Sequence, residues 1–196
     1  MSKAMLHKDI SGVILVGGKS SRYGANKALA EVEGVPLIEH VIRVLNGLFD
    51  HIILITNTPR EYAHLQLPMY QDLIKGLGPL GGIYTALKCI PTEAGFFVAC
   101  DMPHLNPALI SHMAGIANDH DAVVPRVGWK LEALHAIYRQ TCLPAVEGLI
   151  GNHQYQIIRF FEAVSTRYVD EVEIRKFDPD LRSFFNINRP EDLEEM

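Results

Sequence analysis

The chain is poor in several things, and each shortage excludes a class of protein. Its three cysteines, Cys89, Cys100 and Cys142, are odd in number, widely spaced and without a CxxC pair. That pattern argues against a disulfide framework or a zinc site and for reduced thiols in a cytosol. No apolar stretch approaches the roughly 18–20 residues that span a bilayer, and the N-terminal MSKAMLHKDISG lacks the apolar core and cleavage site of a secretion signal. Positive charge is not in excess: the formal net charge of −5 argues against a general nucleic-acid binder, whose affinity comes from neutralising phosphates. The nine histidines show no H-x-H or HExxH spacing, so a histidine metal centre is not expected. Repeats, low-complexity segments and linkers are missing too. A cytoplasmic protein with neither membrane nor nucleic acid as partner is expected.

What is present points to an α/β protein. With 48% hydrophobic and 21% charged residues over 196 positions, the chain suits one well-cored domain, 1–196. Gly12–Val16, His51–Thr56 and Phe96–Cys100 are continuous apolar runs, as expected for strands buried on both faces of a parallel sheet. Ala122–Pro125 and Leu134–Tyr138 read as further strands, the latter paired after a turn at Gly128. Between them, Leu37, Ile38, Val41, Leu45 and Leu48 repeat at helical spacing behind Pro36, and Ile83, Ala86, Leu87 and Ile90 mark a helix starting near GPLGG. Asn106-Pro107 is a good N-cap and first-turn pair for a helix over Pro107–Ala117. The tail mixes helix and strand, with FFNIN and a short helix from Pro190, whose Glu191, Asp192, Glu194 and Glu195 form a solvated face. The expected fold is a three-layer α/β/α sandwich with a mostly parallel sheet, and ligands belong at the carboxyl ends of its strands.

Polar chemistry gathers at those strand ends. Gly17-Gly18-Lys19-Ser20-Ser21-Arg22 follows the first strand, Asn57 the second and Asp101 the third. Glycines let backbone N–H groups approach an anion, while Arg22 and Lys27 add positive charge where a polyphosphate would lie. Two familiar phosphate loops do not fit. A Walker A motif needs a glycine at position 13, which is valine, and the glycines at 17, 18 and 24 do not make G-x-G-x-x-G. Asp101 is a natural Mg2+ ligand, since magnesium takes a few hard oxygens with water and phosphates, and Asn106 is the better cap for the helix that follows. Asn188 either adds an oxygen to the metal or its water, or is a turn residue before Pro190. Asp72, six residues before the glycine-rich turn, suits the N1–H and amino donors of guanine. His104 and His135 read as a surface and a structural histidine, and Trp129 and Lys130 sit on a hairpin from which they can reach a substrate.

The stretch LVGGKSSRYGANK resembles the nucleotidyltransferase signature L-[AG]-G-G-x-[SA]-x-R-[MF]-G-x-x-K. With GLGPLGG at 76–82, ACDMPHL at 99–105 and FNINRPEDL at 185–193, nearly the whole chain resembles the molybdenum cofactor guanylyltransferase family. Val16, Tyr23 and Ile55 depart from the family pattern, and none of them removes a charge. The resemblance implies a Rossmann-like nucleotide-diphospho-sugar transferase fold. It also implies Mg2+-dependent transfer of GMP from GTP to the terminal phosphate of molybdopterin cofactor, with pyrophosphate released, and molybdoenzyme-maturation proteins as possible partners. By that resemblance Leu15, Val16, Gly17 and Gly18 hold the nucleotide through their backbone and Arg22 meets the β- and γ-phosphates. Lys27 stabilises charge near the α-phosphate, and Gly78, Pro79 and Leu80 close over the base or ribose. Cytidylyl transfer, another small NTP transferase activity and a non-catalytic carrier are the alternatives; retention of Arg22, Lys27 and Asp101 together speaks against the carrier.

Overall fold

Strand β1 (Ile10–Val16) is buried along all seven residues, because it has strands on both edges and helices over both faces. In this computed structural model, residues 6–17, 26–187 and 190–193 are described. Strand β4 (Ile52–Thr56) runs parallel to β1, with Val16 opposite Thr56, and β6 (Ala94–Ala99) runs parallel on the other edge, with Leu15 opposite Ala99. Strand β5 (Met69–Tyr70) extends the sheet beyond β4, again parallel. Beyond β6 the direction changes: β9 (His135–Arg139) is antiparallel to both β6 and β7 (Ala122–Val127), and β10 (Thr166–Asp170) ends the sheet parallel to β7. The order is β10-β7-β9-β6-β1-β4-β5. Strand β8 (Lys130–Leu131) folds back on β7 through a turn at Gly128, and β2 (Glu31–Val32) pairs with β3 (Val35–Pro36) in a separate small ribbon.

Alternating side chains on β1 build two cores. Ile14 and Val16 join Leu54, Phe96 and Val98 beneath helices α1 (Leu37–Asn46) and α3 (Pro107–Gly115) and the short α5 (Glu171–Ile174). Val13 and Leu15 face the other way, with Ile53, Ile55 and Phe97 beneath α2 (Pro79–Cys89) and α4 (Leu143–Gly151). A fully buried side chain such as Ile14 contributes about 1.5–3 kcal/mol relative to exposure. The three-layer sandwich is therefore the expected one. Asn106 caps α3 as expected, its Oδ1 accepting from Ala108 N and Leu109 N, although the helix ends at Gly115. Pro36 closes β3 ahead of α1 instead of entering its first turn. Glycines 81 and 82 lie buried inside α2. A Cβ on Gly82 would come within 3.1 Å of Leu15, and one on Gly81 within 3.2 Å of the Ile74 carbonyl, so both serve close packing of the helix. Among the described residues no helix is long and apolar enough to cross a membrane.

His135 on β9 is wholly buried, packed edge-on against Phe96 and Phe184 at centroid distances of 5.1 and 5.0 Å. Among the described residues neither ring nitrogen has a hydrogen-bond partner, and burial pulls its pKa down to about 3, with the Asp178 charge offsetting part of the shift. The unfolded chain takes up this proton near 6.5 and the folded chain does not, so stability is lost as pH falls from about 6.5 toward about 3. A slope of about 1.4 kcal/mol per pH unit from this group is expected in denaturant titrations, and His135→Leu flattens it. A His135→Leu protein as acid-sensitive as the parent between about pH 6 and 4 would assign the sensitivity elsewhere.

Candidate active site

Strands β1, β4, β5 and β6 are mutually parallel, so the residues after them emerge on one edge of the sheet. Gly17, Asn57, Asp72 and Asp101 thus share that edge although they span 85 positions of sequence. The side chains of Leu15 and Val16 are buried, at 9% and 8% exposure, and leave only backbone to offer a ligand. Gly17 is exposed. Gly18, Arg22 and Asn188 lie outside the described residues.

The centre of this edge is an ion pair. Lys27 Nζ lies 2.6 Å from Asp101 Oδ2, with the two side chains 15% and 19% exposed. Lys27 starts a single 3-10 turn, Lys27–Leu29, that Asn26 caps through Ala28 N at 3.1 Å. Asn26 is itself anchored from below: the Tyr62 hydroxyl donates to its Oδ1 at 2.9 Å, and its amide donates to that hydroxyl at 2.6 Å and to Glu61. Tyr62 is 2% exposed, and burial pushes its phenol up to about 12, so it stays a neutral donor. Sequence reading did not find Asn26 and Tyr62. Asn26 carried a cap signal just before an apolar run, whereas Tyr62 carried none, being 36 residues away.

The second carboxylate oxygen of Asp101, Oδ1, is buried and has no hydrogen-bond partner among the described residues. A buried carboxylate oxygen left open in this way is costly unless a ligand completes it. Among the described residues no three or more His, Cys, Asp or Glu side chains gather as a metal cage. Mg2+ does not need one, since it takes one or two carboxylates with water and substrate phosphates. The open oxygen fits such an ion. Ile187 N donates to the Asp101 carbonyl at 3.0 Å, bringing the FNIN segment alongside the same residue. Burial, and then the charge of Asp101, push the neighbouring Cys100 thiol up to about 12, which leaves it protonated and a poor nucleophile.

To one side, Asn57 and Asp72 hold each other. Asn57 Nδ2 donates to Asp72 Oδ2 at 2.7 Å, and Asp72 N donates to Asn57 Oδ1 at 3.2 Å. Gly78 follows with φ +60° and ψ −147°, a conformation open essentially to glycine, and starts α2 with Pro79. Pro79 is exposed, but the Leu80 side chain is wholly buried, so only its backbone faces the edge. To the other side, His104 is half-buried and accepts from Arg182 Nη2 at 3.3 Å, while burial and that guanidinium lower its pKa. Trp129 stands 94% exposed at the tip of the β7–β8 hairpin.

Residues 12–168 match the family model of the MobA-like NTP transferase domain. A molybdenum cofactor guanylyltransferase of Syntrophotalea carbinolica is 37% identical over 186 residues, covering 94% of this chain and 89% of that protein. A probable molybdenum cofactor guanylyltransferase of Peptoclostridium acidaminophilum is 35% identical over 94% of this chain and 87% of that one. The crystal structure of molybdopterin-guanine dinucleotide biosynthesis protein A from Archaeoglobus fulgidus superposes with a TM-score of 0.81 at 29% identity, covering 94% of this chain and 95% of that one.

The support under Lys27 is testable. Tyr62→Phe removes the hydroxyl that pairs twice with Asn26, and a loss of about 1–2 kcal/mol in unfolding free energy is expected from urea titration. Unchanged stability would mean that the cap bond and the bond to Glu61 hold Asn26 without Tyr62.

Proposed function

The chain belongs to the MobA-like NTP transferase family, and from that premise we propose that it is a molybdenum cofactor guanylyltransferase. It transfers GMP from GTP to the terminal phosphate of molybdopterin cofactor. An oxygen of that phosphate bonds to the α-phosphorus of GTP, the bond to the α,β-bridging oxygen breaks, and pyrophosphate leaves. The chain works as one nucleotidyltransferase domain, 1–196, a reading supported by the continuous sheet that joins β10 to β5, and its place of work in this reading is the cytoplasm. Delivery to maturation proteins and the absence of a nucleic-acid partner belong to the same reading.

The observation that carries the mechanism is the Lys27–Asp101 pair with its open carboxylate oxygen. Two polyanions meet here and negative charge grows on the leaving pyrophosphate, so catalysis is a matter of positioning and charge stabilisation. The Lys27 ammonium is a compact point charge, partly withdrawn from water, and suits the α-phosphate and the leaving oxygen. Asp101, with Asn188, would hold Mg2+, which when bound neutralises phosphate charge and lines up the triphosphate. Until substrate arrives, Asp101 keeps Lys27 aimed across the edge. Arg22 would take the β- and γ-phosphates, and the backbone of Leu15, Val16, Gly17 and Gly18 the nucleoside portion. Asp72, oriented by Asn57, would accept the N1–H and amino protons of guanine, donors that adenine lacks at those positions. Gly78, Pro79 and Leu80 would close the base side through backbone atoms.

Pyrophosphate release with molybdopterin cofactor and a panel of nucleotides tests the reading. GTP is expected to be preferred; preference for CTP overturns the guanine assignment, and no release with any nucleotide overturns the enzyme. Lys27→Ala is expected to lower kcat by about a hundredfold or more. Asp101→Asn is expected to abolish the response to Mg2+, and an unchanged Mg2+ dependence removes Asp101 as its ligand.

A further inference from the structure

The loop that carries Asp72 has no apolar anchor. None of residues 71–76 is buried: Leu73 is 58% exposed, Ile74 39%, and Asp72 is half-buried. A segment with so little packed surface opens locally unless polar bonds or backbone contacts hold it.

Two neighbours supply those contacts, one on each side of Asp72. Asp72 N donates to Asn57 Oδ1 at 3.2 Å, which fixes the peptide before the aspartate. Leu73 N donates to Thr85 Oγ1 at 2.9 Å, which fixes the peptide after it. With both flanking peptide planes held, the direction in which the Asp72 side chain leaves the backbone is set. Thr85 lies on α2, wholly buried, one turn after Gly81 on the same helical face. Gly81 leaves room for the Ile74 carbonyl, which a Cβ there would meet at 3.2 Å. The i, i+4 pair Gly81 and Thr85 thus receives the two residues that follow Asp72. The helix alone does not call for threonine at this position. Its helix propensity is below that of alanine, and a buried hydroxyl is costly unless it is bonded.

We propose that Thr85 is a positioning residue for base recognition: by holding Leu73 N it aims the Asp72 carboxylate, and so sets the discrimination between guanine and purines that lack its amino group. The inference rests on the guanine reading of Asp72 and deepens it. Thr85 is wholly buried, so it acts through Asp72 and not on the base. A carboxylate that accepts from N1–H and the amino group together must face both donors, and a tilt of the loop loses one bond before the other. Hypoxanthine keeps the N1–H and lacks the amino group, so comparing GTP with ITP isolates the second bond.

Calorimetric titration of the full chain with GTP and with ITP tests this without an acceptor substrate. The parent is expected to bind GTP about tenfold or more tighter than ITP. Thr85→Val keeps the shape of the side chain and removes the acceptor. It is expected to weaken GTP binding by about tenfold and ITP binding much less, so that the preference narrows toward that of Asp72→Asn. Thr85→Ser keeps the hydroxyl and is expected to retain the parental preference. On the Asp72→Asn background, Thr85→Val is expected to leave GTP affinity unchanged, because both residues act through one carboxylate. Thermal unfolding identifies a variant that has lost its fold, and Thr85→Ala, suited to a helix interior, then carries the same comparison. A folded variant without the hydroxyl that keeps the full preference, or that loses GTP and ITP affinity equally, overturns the inference. A parent that does not prefer GTP over ITP overturns the guanine reading of Asp72 itself, so the two failures are distinguishable.

Discussion

The geometry depends on one constraint: β1 is a buried strand held between two parallel partners. Parallel pairing on both edges obliges the chain to cross over after each strand, and helices on both faces then bury every side chain of β1. Because β1, β4, β5 and β6 point the same way, their polar continuations must emerge together. The functional edge follows from strand direction before any ligand is considered.

On that edge, stability and function draw on the same residues in different ways. Lys27 and Asp101 are partly desolvated, and an ion pair in such a place gains little stability, because attraction repays the cost of leaving water. Its value is in orientation. Asn26 and Tyr62 use ordinary hydrogen bonds to keep the turn under Lys27 in one shape, while Asp101 retains an oxygen that none of the described residues satisfies. The glycines divide similarly. Gly82 lets α2 approach Leu15, whereas Gly78 supplies a backbone conformation at the start of that helix.

The antiparallel strand β9 gives the sheet its asymmetry. It lies between the β6 that leads into Asp101 and the β7 that carries the hairpin, so the two flanks of the edge are built differently. One flank is short parallel strands and a glycine-rich helix start. The other is a hairpin and an irregular C-terminal segment pinned by Asp178 and Asn106.

The sequence by itself determined the central strands, the helices between them and the type of fold, because burial on both faces writes unbroken apolar runs and helices write a repeat of three to four. It also marked Asp101 as a reactive type at a strand end and Lys27 as a cation at the far end of the loop after the first strand. Weakly buried elements were not legible: β10 has one fully buried residue, Val169, and shows no clear period. The close packing of Gly81 and Gly82 against Ile74 and Leu15 is likewise invisible to local pattern. Only the tertiary structure decided which groups meet. Lys27 reaches Asp101 across 74 residues, Asn57 reaches Asp72 across 15, and Leu73 reaches Thr85 across 12. Such pairings are set by strand order and direction, which join residues that no periodicity relates.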